Sequence, residues 1–290
     1  MELNHRPQRY KRCALTSELC EHLSLIYYQK YINKSRGHIC FFYGFVVYLS
    51  NMNLRVEQLI NIAKRKMKHS NDPVHDLDHV TRVVKRVKEF IADMDLSHDE
   101  KQAVILAAWW HDVARSITKN PSIIWMSIVD DNISAFMLWM KSIRCGLFGK
   151  TVGLSTKILV CKSFGTGALL TRLLLRKKHR ILVNLLDDAD TLDMLNSERV
   201  SKMLIMIENS RTYKMGYRVV VSWCLKSREF KLRTEKARKI LVEMIRKFIL
   251  WIKQKEIFDW HIKQFGKKWV DRALRDANQF LKSITLKTCS

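Results

Sequence analysis

The sequence predicts an all-α fold, and three observations carry that expectation. Breakers are scarce: 290 residues hold only 3 prolines and 9 glycines, too few for the tight turns of a strand-rich fold. Apolar residues recur at three- and four-residue spacing, as in Val80, Val83, Val84, Val87, Phe90 and Ile91. That is the period of a helix face buried against a core. Helix-start chemistry also stands where such a run begins. Ser97 is followed three positions later by Glu100, the spacing of a capping box.

The elements follow in order. Residues 1–51 mix basic, aromatic and cysteine residues without a sustained period, and read as a poorly structured basic and apolar extension. Their apolar run at residues 39–49 is too short to span a bilayer. The basic stretch before it is too long for a signal peptide, and no small-residue cleavage site follows. After Met52 an amphipathic helix begins, with Leu54, Val56, Leu59, Ile60, Ala63 and Met67 on one face. The polar stretch Ser70-Asn71-Asp72-Pro73 interrupts it. The next helix carries the valine stripe, and the one capped by Ser97 runs through Trp110 to His111-Asp112. Residues 123–140 read as a helix in which Asp130 and Asp131 exclude a membrane span. Residues 146–167 hold most of the glycines and are expected to be loop plus one short helix. Helices are expected again over 180–195, 233–253 and 267–281. The domain plan is an extension over 1–51, a helical domain over 52–255 and a C-terminal helical tail over 256–290.

The formal net charge is +24. It suits acidic partners such as nucleotides, nucleic acid or an anionic surface. A lysine-rich bias spread over solvated faces accounts for it equally well. The charge is uneven: no acidic residue falls between Asn132 and Leu186, a stretch containing Lys141, Arg144, Lys150, Lys157, Lys162, Arg172 and Arg180. The cysteine count is odd, 7, with no C-x-x-C pair. That argues against a zinc knuckle or disulfide framework and for a reducing, cytoplasmic setting.

Three predicted helices deliver metal-ligand residue types: His75-Asp76-Leu77-Asp78-His79, then His111-Asp112, then Asp187-Asp188-Ala189-Asp190-Thr191-Leu192-Asp193. His111 lies four residues after Ala107 and three after Ala108, on the buried stripe. Asp112, four after Ala108, flanks the same place. A carboxylate beside an imidazole on an apolar face needs a partner or a cation. The mixture suits a divalent transition ion or a magnesium-like site.

These segments resemble the H…HD…D signature of the HD superfamily of metal-dependent phosphohydrolases. His75-Asp76-x-x-His79-x-x-Arg82-Val83 is similar to the opening motif of a bacterial subgroup of small HD hydrolases. Thr234-x-x-Ala237-Arg238 with Arg246 is similar to that subgroup's later helix start. The resemblance covers about Asn53 to Ile252. It implies an HD-type helical bundle and one divalent metal ion (Mn, Fe, Ni, Co, Zn or Mg) held by His79, His111, Asp112 and Asp190. Helical phase places Asp188 or Asp193 nearer the apolar stripe than Asp190, so Asp188 stands as the alternative ligand.

The resemblance also implies hydrolysis of a phosphomonoester or phosphodiester by metal-activated water. The partner is then a small phosphorylated substrate, a nucleotide among the candidates. His75 is expected either to orient a ligand or substrate or to be a solvent-facing loop histidine. Arg115 stands where relatives often place a cation near the substrate phosphate; an ordinary surface arginine is the other reading. Arg82 shares a face with His79 and is expected to pair with Asp112 or a phosphate. One position departs from the pattern. Relatives often carry a histidine before a Ser-Phe pair, and here Lys162 precedes Ser163-Phe164. A protonated lysine holds phosphate but cannot ligate metal. The competing reading is a non-catalytic HD-like module binding nucleotide or nucleic acid through the basic middle segment. No RNA-binding motif or zinc finger accompanies it.

Overall fold

The computed structural model describes residues 54–117, 123–147, 149–163, 167–227 and 232–289. The expected extension over 1–51 lies outside them. The described chain is all-α: helices follow one another without a strand among the described residues. Val56–Ser290 forms one compact unit. No helix of the described residues is long and apolar enough to cross a membrane.

Helix α1 covers residues 54–68 and buries Val56, Leu59, Ile60, Ala63 and Met67, the stripe expected from its period. Helix α2, Leu77–Ile91, buries Val80, Val83, Val84, Val87, Phe90 and Ile91. Each such side chain contributes roughly 1.5–3 kcal/mol on leaving water, so Val83→Asp would unseat the helix. Asp76 caps it, its carboxylate accepting from the His79 amide. Helix α3, His98–Trp110, opens with the capping box that Ser97 and Glu100 announce. Its Trp110 indole N–H donates to the Leu59 carbonyl at 3.2 Å, tying α3 to α1. A 3-10 turn, Val113–Ile117, follows at once.

Helix α4 covers Ile123–Arg144 and α5 covers Lys150–Lys162. The sequence predicts loop plus one short helix over 146–167. Instead α5 is a full helix packed against α3 and α4, burying Val152, Ile158 and Leu159. Gly149 is its N-cap residue, and Ser155 donates to the Ala103 carbonyl of α3 at 2.8 Å. Packing outweighs the poor local propensity of a glycine-containing segment. Helix α6, Gly167–Leu174, leads through a short turn to α7, Arg180–Asp193.

Two helices without a sequence expectation follow: α8, Ser197–Asn209, and α9, Arg211–Ser227. Helix α10, Glu235–Ile252, is capped by Thr234. Helices α11, Lys255–Phe265, and α12, Lys267–Cys289, complete the chain. Helices α3 and α7 pack against each other and each also packs against α2 and α5; α7 also meets α10, which with α9 supports α12. The buried His261 of α11 illustrates a satisfied core histidine. Its Nδ1 lies 2.7 Å from the Ile257 carbonyl and its Nε2 2.9 Å from the Tyr217 hydroxyl. Both ring nitrogens are therefore spent within the protein.

Candidate metal centre and adjoining cavity

Three separate helices bring His111 Nε2, Asp112 Oδ2 and Asp190 Oδ1 within 3.4 Å of His79 Nε2. His79 enters from the first turn of α2, where the Asp76 cap sets the entry of the chain. His111 and Asp112 stand at the end of α3, and Asp190 projects from α7. His79 Nε2 lies 3.2 Å from His111 Nε2, 3.1 Å from Asp112 Oδ2 and 3.4 Å from Asp190 Oδ1. His111 Nε2 lies 3.3 Å from Asp112 Oδ2 and 4.0 Å from Asp190 Oδ1. His79 and His111 are fully buried, and Asp112 nearly so.

The tautomers follow from the partners of the other ring nitrogens. His79 Nδ1 lies 2.7 Å from Asp193 Oδ2, and His111 Nδ1 lies 2.7 Å from the Ala108 carbonyl. A carbonyl can only accept. Asp193 is ionised: burial opposes this, but the His79 and Arg82 bonds hold its carboxyl down at about 2. Both Nδ1 atoms therefore donate, and both Nε2 atoms present lone pairs to each other and to two carboxylates. Asp112 Oδ2 is buried without a hydrogen-bond partner. Such a convergence requires a cation, either a proton or a metal ion. For His111, burial favours the neutral ring, but Asp112 and Asp190 outweigh it and push the imidazole up to about 9. His79, His111 and Asp190 form a group that could hold a metal ion.

The remaining residues singled out in the sequence have distinct surroundings. Arg82 meets neither Asp112 nor the cavity. Its Nε donates to Asp193 Oδ1 at 2.8 Å and its Nη2 to Asp193 Oδ2 at 3.0 Å, a two-pronged grip that aims the carboxylate at His79. Asp188 is buried, as its helical phase implies, but both its oxygens are spent. They accept from the amides of Arg233 and Thr234 and from the Thr234 hydroxyl, fastening the start of α10. Asp190 is thus the member of the cluster that faces the histidines.

His75 is only partly exposed and lies beside Asp72, Nδ1 to Oδ2 2.9 Å. Burial holds its imidazole down to about 4. Arg115 is buried and points two nitrogens at Asp130 Oδ2, 3.1 and 2.7 Å, and a third at Asp72 Oδ2, 3.2 Å. Lys162 places its ammonium 2.9 Å from Asp190 Oδ2 and 3.5 Å from Asp131 Oδ1. Burial disfavours the charge, but these carboxylates raise its pKa well above the ordinary lysine value. Burial pushes the Asp131 carboxyl up to about 7, against the pull of Lys162.

A cavity of about 530 Å³ opens beside this cluster, with His75, Asp112, Arg115, Asp131, Lys162, Asp190 and Arg199 among its lining. Arg199 lines this cavity and is not among the residues that the sequence singles out. It is buried, and its Nε donates to the Val74 carbonyl at 3.1 Å. Its Nη1 lies 3.7 Å from Asp190 Oδ1 and 3.9 Å from Asp193 Oδ2 and is buried without a hydrogen-bond partner. One cue was readable: Arg199 stands three residues after the Asn196 cap, and a cation in a helix's first turn opposes the dipole. In the sequence Asp72 stands out only as part of a polar stretch, and Asp193 only as an inward-facing carboxylate of the acidic run. No protein-family model, curated protein or solved structure matches this chain.

Proposed function

We propose that this chain is a metal-dependent phosphohydrolase of the HD superfamily, with His79, His111, Asp112 and Asp190 as the ligands of one divalent ion. The observation that carries the reading is the meeting of two Nε2 lone pairs and two carboxylate oxygens in a buried place, next to a cavity that also receives cationic side chains. A divalent ion bound there would supply an activated water at neutral pH and polarise a phosphoryl oxygen.

The chain's own groups do the rest. Arg82 and Asp193 hold the His79 ring so that Nε2 faces inward. Arg199, whose Nη1 makes no hydrogen bond within the protein, and Lys162 line the cavity and offer a phosphate two donors. Arg115 acts through others: it fixes Asp130 and Asp72, and Asp72 in turn orients His75. Asp131, with its carboxyl near 7, can hold a proton at neutral pH and release it to a departing alcohol.

The test is metal analysis of the purified full chain followed by a screen of phosphate esters. We expect about one transition-metal ion per chain and ester hydrolysis abolished by His111→Ala. Negligible metal content, with no rise in melting temperature on adding Mn, Co, Ni or Zn, would overturn the metal site. Bound metal without turnover of any ester would overturn the enzymatic reading.

A further inference from the structure

The cavity has two unlike sides. Its floor is mostly ionic and comes from the segment before α2, the end of α3, α4, α5 and α7, with Arg199 from the start of α8. Its roof comes from α8, α9 and α10 and includes Val200, Met203, Tyr217, Val221, Leu225 and Phe248. Five of these six side chains are hydrocarbon or thioether, and the Tyr217 hydroxyl is engaged by His261 Nε2 at 2.9 Å. Tyr213, on the same helix α9, is the polar exception. A sugar or the edge of a nucleobase placed against Val200, Met203, Val221, Leu225 and Phe248 would lose water without gaining partners there. A carbon skeleton would bury there favourably.

Helix α8 joins the two sides. Arg199, whose Nη1 makes no hydrogen bond within the protein, and Met203 stand four residues apart on one helix face. A phosphate held by Arg199 therefore has its ester group one helical turn along, beside Met203.

Resting on the phosphohydrolase reading above, we propose that the substrate is a phosphate ester of a hydrocarbon alcohol, aryl-alkyl or branched alkyl, rather than of a sugar or nucleoside. Its phosphate meets Arg199 and Lys162 on the floor. Its carbon skeleton lies under α9 against Val221, Leu225 and Phe248.

The experiment uses the full metal-loaded chain and esters that all leave as primary alkoxides, so that leaving-group chemistry is matched. These are 3-methylbutyl phosphate and 2-(1-naphthyl)ethyl phosphate against glycerol 3-phosphate and adenosine 5′-monophosphate. In parallel, calorimetry measures binding of 2-(1-naphthyl)ethylphosphonate, which cannot be hydrolysed, with inorganic phosphate as reference. We expect kcat/KM at least about tenfold higher for the hydrocarbon esters, the low end of what one apolar group contributes in a fitted pocket. We also expect the phosphonate to bind at least about tenfold tighter than phosphate. Met203→Asn and Val221→Asn should shrink both ratios, with folding checked by thermal melting, and Met203→Leu should keep them. Equal or better turnover of the polar esters would overturn the proposal and leave the hydrolase reading standing. Tight phosphonate binding without turnover of any ester would sink the hydrolase reading and support the cavity assignment. Weak phosphonate binding, or ratios unmoved by both asparagine variants, would overturn the cavity assignment.

Discussion

The Nε2 atoms of His79 and His111 face each other at 3.2 Å, each on a ring whose Nδ1 is already committed to a protein acceptor. The buried His261 makes the contrast plain, because its second nitrogen meets a hydroxyl. A histidine becomes available to an external cation when one nitrogen is spent and the other meets only acceptors.

The link from Arg82 through Asp193 to His79 should be measurable as metal affinity. Asp193→Asn replaces an ionised acceptor with an amide that can also turn a donor toward Nδ1. We expect affinity for a divalent ion to fall by about 10–100-fold, the usual cost of losing such an orienting partner. Circular dichroism should stay helical. Titration calorimetry with Co or Mn checks it, and unchanged affinity would remove Asp193 from the site.

Asp188 and Asp190 should separate cleanly. Asp188→Ala takes the acceptor from the Arg233 and Thr234 amides and should cost about 1–3 kcal/mol in denaturant unfolding. Its metal content should stay that of the wild type. Asp190→Ala should lose the metal with a smaller change in stability, because its side chain is partly exposed. The reverse pattern would make Asp188 the ligand.

Lys162 is the cation between Asp131 and Asp190. Lys162→Met takes their shared cation away from Asp131 and Asp190 and should cost about 3–5 kcal/mol. Adding Asp131→Asn should recover part of that loss, because the unpaired charge is then gone. Strictly additive losses in a double-mutant cycle would show that the two side chains do not interact.

Glu100 provides a pH dependence away from the cluster. The Lys178 ammonium and the Ser97 amide hold its carboxyl at about 2, below the ordinary 4.5. A folded value below the unfolded one means stability that is full above about 4.5 and is lost as pH falls toward 2. Glu100→Gln keeps an acceptor for the Ser97 amide but loses the charge facing Lys178, and should therefore lower stability at neutral pH by about 0.2–1 kcal/mol. The difference from wild type should close between pH 4.5 and 2. Melting temperatures that stay apart at pH 2 would mean the effect is not electrostatic.

By itself the sequence determined the helical class, the buried stripes of α1, α2 and α10, and the Ser97–Glu100 cap, because period and capping are local properties. It also placed His111 on a buried face, since three- and four-residue spacing is a local rule. Only the tertiary structure decided that residues 150–162 are helical, because the stabilising contacts of α5 come from α3 and α4, distant in sequence. The same holds for the acidic run. Helical phase correctly turned Asp188 and Asp193 inward, but whether an inward carboxylate fastens a backbone, steers a histidine or faces a cation depends on what stands opposite. For Asp188 that is the start of α10, for Asp193 it is His79 with Arg82, and for Asp190 it is the meeting point of two imidazoles. A lone pair is available for chemistry only when no neighbour has taken it, and neighbours across helices are not written in any single segment of the chain.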